Sequence, residues 1–243
     1  MKKFFKYVKL LRYGLQFRTT AIMSLFFVGL GVLFEMTMSF STLFGMSLSG
    51  LYMGLVGAYS YQLCATAAVA KLVNASPMKR DLLTKAPMLI ALITSLITYT
   101  IFILMRVFYT IGVRLPAEAA FYPDAEPMVH MGMIYCGVLI FVLMVYLPVS
   151  YKNYVLGIVI LGGYLVFMLI FGNGETLTAF MIDKYNALIG AFGYKTTLAL
   201  LTAFGYVCIL IGAALGYLIN LLTIRKEISP MIYRYALKQA AAK

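Results

Sequence analysis

Apolar residues along this chain come in long, nearly unbroken runs separated by short clusters of charge. Neither the two-residue alternation of a half-buried strand nor the narrow stripe of a surface helix accounts for such runs. Val129–Tyr151 continues for about 20 residues without a charged side chain. That is the length a helix rising 1.5 Å per residue needs to cross a hydrocarbon core of roughly 30 Å. A transmembrane barrel would instead show segments of about ten residues alternating in polarity. The runs predict six spans, at about 20–44, 48–70, 87–111, 128–149, 154–171 and 196–224. Ahead of them, Phe4, Val8, Leu11 and Leu15 fall on one helical face, with Lys2, Lys6, Lys9 and Arg12 opposite. Residues 1–19 therefore read as an amphipathic helix lying in the membrane interface.

The connections differ in kind. Residues 112–127 hold Pro116, Pro123 and Pro127 among acids, which predicts an irregular external loop. After Gly172-Asn173-Gly174-Glu175, the residues Leu177, Phe180, Met181, Tyr185, Leu188 and Ile189 recur at helical spacing, with only Asp183 and Lys184 charged between them. A short helix or a re-entrant helical hairpin entering the outer leaflet before the sixth span is expected there, with a plain amphipathic surface helix as the alternative. Residues 71–86 (KLVNASPMKRDLLTKA) offer a helix start at Asn74 or Ser76-Pro77. Met78, Leu82 and Leu83 then make an apolar face, with Lys79, Arg80 and Lys85 as a basic cluster. A short helix parallel to the membrane is a natural docking element for a partner; a solvated turn is the alternative. The expected fold class is an all-α membrane protein, a six-helix transmembrane bundle forming a single domain over 1–243, with a tail at 225–243.

Composition sharpens this reading. Hydrophobic residues make up 63% of the chain and charged ones 12%, against about 45–50% and about 25% in soluble domains. The net charge of +12 would suit nucleic acid if it formed a surface, but it is distributed as topology. Sixteen of the 20 Lys and Arg residues lie in the N-terminal segment, the second-to-third connection, the turn at Lys152 and the tail. Only Arg106, Arg114, Lys184 and Lys195 face the other way, beside five of the eight acids: Glu118, Asp124, Glu126, Glu175 and Asp183. Cytoplasmic loops carry the excess of basic residues, so both termini are expected to be cytoplasmic in a multi-pass plasma-membrane protein. No nucleic-acid partner is expected, and the first apolar run is too long for a cleavable signal core.

Candidate chemistry is sparse. The chain has a single histidine, His130, near the outer end of the fourth span, and it reads as a satisfied interfacial side chain. Cys64, Cys136 and Cys208 lie inside apolar runs without metal-ligand spacing and read as small packing residues. No catalytic constellation or metal cluster is expected. Gly190-Ala191-Phe192-Gly193-Tyr194-Lys195-Thr196 resembles a nucleotide-binding loop only superficially: Tyr194 and Ile189 stand where that loop needs glycines. Any nucleotide that drives this protein is expected on another polypeptide. Two charges sit inside spans, Glu35 and Arg106, each costing roughly 2.5–3.5 kcal/mol at the bilayer centre. Counted from the cytoplasmic ends they lie within about one helical turn in depth, so they are placed to pair or to line a polar cavity; independent snorkelling to the outer interface is the alternative. Gly50, Gly54 and Gly57 in the second span, and Gly212 and Gly216 in the sixth, mark close helix contacts with unspecified partners.

In layout the chain resembles the permease subunit of an ABC-2-type ATP-binding-cassette exporter: a basic interfacial helix, six spans, a helix-bearing loop after the second and a hydrophobic hairpin before the sixth. Ala75-Ser76-Pro77-Met78-Lys79-Arg80 is similar to the Leu-Pro-apolar-Ser-Arg pattern of the family's loop, departing at Ser76 and Lys79. Leu147-Pro148-Val149-Ser150-Tyr151-Lys152 is closer to that pattern but stands in the other cytoplasmic turn. The resemblance implies that Pro77, Met78, Lys79, Arg80, Leu82, Leu83 and Lys85 form a coupling element for separately encoded ABC ATPase subunits. It implies further that the chain pairs with a second copy or a homologue and binds no cofactor itself, ATP and magnesium residing on the ATPase. A non-transporting membrane scaffold or sensor subunit is the alternative function.

Overall fold

The computed structural model describes residues 17–37, 42–43, 46–67, 79–118, 125–172 and 175–223. The expected interfacial helix up to residue 16, Pro77 and Met78, and the tail from 224 lie outside the described residues. In chain order the elements are α1 (Phe17–Thr37), a hairpin of β1 (Thr42–Leu43) and β2 (Met46–Ser47), α2 (Leu48–Ala67), α3 (Lys79–Leu83) and α4 (Lys85–Met105). A π-helical segment, Arg106–Arg114, continues α4 and is followed by α5 (Leu115–Glu118), α6 (Ala125–Lys152), α7 (Tyr154–Gly172), α8 (Glu175–Phe192) and α9 (Tyr194–Leu222). The hairpin pairs Thr42 with Ser47 and Leu43 with Met46; every other regular element described is helical, so the chain is an all-α membrane-type protein. Four helices, Phe17–Thr37, Lys85–Arg114, Glu126–Lys152 and Tyr194–Leu222, are long and apolar enough to cross a membrane.

Three expectations about the elements change, the first being the irregular loop over 112–127: residues 112–118 lie in the π-helical segment and α5, and residues 125–127 open α6. The first span ends at Thr37 rather than near 44, where Thr37 Oγ1 turns back to donate to the Leu33 carbonyl at 2.8 Å. The hairpin follows, and Ser47 caps α2 by accepting the Gly50 amide at 3.2 Å. Of the short helix and the re-entrant hairpin expected before the last span, the structure has a single helix of 18 residues, α8. It is closed by Gly193, whose φ of 77° is a left-handed conformation that a side chain would strain.

α6 is the hub. Its Met133, Cys136, Ile140 and Met144 form the buried core with Met53 of α2, Tyr99 and Phe102 of α4, and Ile209 of α9. The small residues seen in the sequence acquire partners here. A Cβ on Gly54 would stand 3.0 Å from Leu139, and one on Gly212 would stand 2.9 Å from the Phe141 backbone, so both motifs press on α6. Gly57 instead abuts Ser95 of α4. A Cβ on Gly216 would collide with the Met144 carbonyl oxygen, the acceptor that Pro148, four residues on and lacking an N–H, leaves without its usual helical donor. α1 lies at the margin of the bundle, joined to α2 by stacked rings: Phe34 on Tyr52 at 5.2 Å, Tyr52 on Phe27 at 5.5 Å and Phe27 on Tyr59 at 5.0 Å. Large apolar side chains point outward from α1, α7 and α9, among them Leu25, Phe26, Val155, Val159, Leu210 and Leu222. Large apolar side chains exposed along whole helices match hydrocarbon rather than water.

Candidate functional site

Glu35 of α1 and Arg106, the first residue of the π-helical segment, meet in the interior with side chains 0% and 1% exposed. The pairing is bidentate: Arg106 Nε donates to Glu35 Oε1 at 2.8 Å and Nη2 to Oε2 at 2.7 Å. Bidentate charge-assisted bonds are the strong kind, and two charges withdrawn from water need them to offset the loss of hydration. Both groups are further satisfied. The Thr110 hydroxyl donates to Oε1 at 2.5 Å, the Ser49 hydroxyl donates to Oε2, and Arg106 Nη1 donates to the Val129 carbonyl at 2.9 Å. The guanidinium carbon stands 4.7 Å from the centre of the Phe102 ring, a cation–π contact. Gly132 supplies the room, since a Cβ there would collide with Arg106 Nη1.

The site thus ties α1, α2, the π-helical segment and α6 together at one level. Arg106 and Thr110, four residues apart in the π-helical segment, both reach the carboxylate. Beyond it, Arg114 Nη1 and the Tyr109 hydroxyl donate to the Met36 carbonyl at 3.1 and 3.4 Å, capping the end of α1. π-Helical turns inside longer helices are frequent at functional positions. Chemically the pair is a lock: the carboxylate accepts from three side chains and has no exposed face from which to act as a base.

A second polar constellation lies near the start of α6. His130 is buried, its Nδ1 donating to the Glu126 carbonyl at 2.7 Å and its Nε2 lying 3.2 Å from the Tyr194 hydroxyl. Tyr185 of α8 packs against the imidazole at 5.2 Å and donates to Glu126 Oε1 at 3.2 Å. His130 is therefore a satisfied side chain that fastens α8 and α9 to α6. No group of three His, Cys, Asp or Glu residues is placed to hold a metal ion among the described residues. Cys64 and Cys136 are buried and free, and Cys208 is half-buried and free.

At the opposite end, the Tyr61 hydroxyl of α2 donates to Asn220 Oδ1 at 3.0 Å, and Asn220 Nδ2 donates to the Thr84 carbonyl at 3.3 Å. Thr84 is the elbow between α3 and α4, and its own hydroxyl donates to the Arg80 carbonyl at 2.8 Å. All three residues are buried. The short helix α3 is thereby latched to α2, α4 and α9. Of the loop residues singled out in the sequence, Arg80 and Lys85 are exposed and Leu83 is half-buried. Leu82 is completely buried within this chain, so the expected apolar docking face loses its central anchor: a side chain already packed against its own bundle is not free for a partner. Beside this end a cleft of about 410 Å³ opens between α2, α6 and α7, lined by Tyr59, Tyr146, Tyr151 and Tyr154 with Gln62 and Ser150.

Ser49, Thr110, Gly132, Tyr61 and Asn220 complete these networks and are not marked by charge or motif. Asn220 alone has a sequence signal, as the only Asn inside a predicted span. No protein-family model matches the chain, and no curated protein or solved structure matches it.

Proposed function

We propose that this chain is the permease subunit of an ATP-driven ABC-type exporter, acting as a dimer with separate ATPase subunits on the side that carries its basic residues. In this reading α2 and α7 join the four longer apolar helices to make six crossings, and both termini are cytoplasmic. The observation that carries the proposal is the latch of α3. A coupling element must be rigidly joined to the helices it moves, and α3 is held through Leu82, Thr84 and Asn220 to three of them while Arg80 stays exposed. A load applied to α3 is thereby delivered to α4 and α9 together. The tyrosine-lined cleft beside the latch suits an amphipathic molecule, with aromatic faces for its apolar part and hydroxyls for its polar part.

The test is purification of the tagged chain from its native membranes in mild detergent, followed by measurement of Mg-ATP hydrolysis in the retained complex. The wild type is expected to retain an ATPase chain, and Arg80→Glu combined with Leu83→Ala to lose most of it. Asn220→Leu should keep the ATPase bound while cutting the stimulation of hydrolysis by membrane lipid or substrate. Hydrolysis no greater than that bound by an unrelated membrane protein from the same host would overturn the proposal and favour a scaffold role.

A further inference from the structure

A second cavity, of about 380 Å³, runs between α4 and α9 on the outside of the bundle. The bond from Asn220 to the Thr84 carbonyl joins the end of α9 to the start of α4, so the two helices run antiparallel along it. Lys85 stands at the α4 end, with Met88 and Leu92 further along the same wall; Tyr217, Ala214 and Leu210 form the facing wall. Lys85 to Leu92 and Tyr217 to Leu210 each cover seven helical steps, about 10 Å of rise, or two thirds of one leaflet's share of the hydrocarbon core. The groove exists because Ala213 and Ala214 present only methyl groups where the rest of this face of α9 carries larger side chains such as Leu210 and Tyr217.

From this geometry we infer that the groove between α4 and α9 binds one anionic phospholipid, its phosphate on Lys85 and an acyl chain along Met88, Leu92, Ala214 and Leu210. The argument is one of matched polarity and depth. Among the described residues the one charged side chain lining the groove is a cation, Lys85, which is exposed, and the rest of the lining is apolar apart from the Tyr217 hydroxyl. Arg80, exposed one turn before the elbow, adds a second positive charge on the same side, while Asp81 beside it is half-buried. Basic pockets between transmembrane helices recognise anionic headgroups in this manner. The inference needs the chain to be embedded in a membrane and does not depend on a transport role.

The absence of tryptophan from the whole chain makes a direct test possible. A single reporter, Leu210→Trp, is placed in the groove, with Leu89→Trp at its rim as a second in case the first perturbs folding, and Val159→Trp on the exposed face of α7 as control. Each protein is reconstituted in phosphatidylcholine vesicles containing brominated phosphatidylglycerol or brominated phosphatidylcholine, and fluorescence quenching gives the relative affinity for the two. The groove reporters should favour the anionic lipid about fivefold, the factor one basic residue supplies near a membrane surface. Lys85→Gln should bring the ratio close to one, the Val159 reporter showing no preference in either background. Millimolar inorganic phosphate should leave the ratio unchanged. Equal quenching by both lipids, a preference that survives Lys85→Gln, a preference erased by free phosphate, or groove reporters that neither lipid quenches because protein occupies the groove would each overturn the inference.

Discussion

Arg106 and Glu35 share a site in which each donor and acceptor has been found a partner, and this makes the two side chains interdependent. Breaking a buried pair strands the remaining charge, which typically costs about 3–5 kcal/mol, whereas removing both leaves neutral groups that cost far less. Glu35→Gln and Arg106→Gln are each expected to lower the thermal unfolding temperature in detergent markedly, and the double variant to lose far less than the sum of the two. Strict additivity would mean that the residues act independently. Gly132→Ala tests the same site from its wall: overpacking there should cost about 1–3 kcal/mol, and most of that loss should vanish in an Arg106→Gln background, where the guanidinium is gone. The two charges and their matched depth are legible in the sequence, because charge inside an apolar run is conspicuous and helical rise converts position into depth. The small residues around them are not, because a Ser, Thr or Gly in a span looks the same whether it faces a carboxylate or lipid.

At the scale of elements, α3 shows how a correct local pattern misleads about contacts. Met78, Leu82 and Leu83 at helical spacing read as one face turned toward a partner, yet Leu82 is buried inside this chain. Leu82→Ala should therefore destabilise the isolated protein by about 2–5 kcal/mol, measured by thermal unfolding without any partner. Arg80→Ala, at an exposed position, should stay within about 0.5 kcal/mol of the wild type in the same measurement. Equal stabilities for the two variants would contradict the burial. The end of α1 and the unity of α8 were likewise beyond the pattern: apolar spacing continues past Thr37, where the helix stops, and is compatible with one helix or two between 175 and 192, where a single helix forms.

The whole molecule carries a topological expectation that a single labelling experiment settles. Asn153, in the turn between α6 and α7, and Asp183 of α8 are both exposed. In a background lacking Cys64, Cys136 and Cys208, an impermeant thiol reagent added to intact cells should label Asp183→Cys and spare Asn153→Cys; the reverse would invert the orientation. The membrane character, the helical class and the rough positions of the long helices follow from the sequence by itself, because burial in hydrocarbon imposes a local requirement on every residue of a span and is written in consecutive positions. Which helices touch, that Gly212 presses on α6 and Gly57 on α4, that Asn220 reaches the elbow at Thr84 and that Arg106 closes on Glu35 were decided only by the tertiary structure. These contacts join residues far apart in the chain, and in a bundle whose helices are apolar on all sides no amphipathic stripe exists to say which face turns inward.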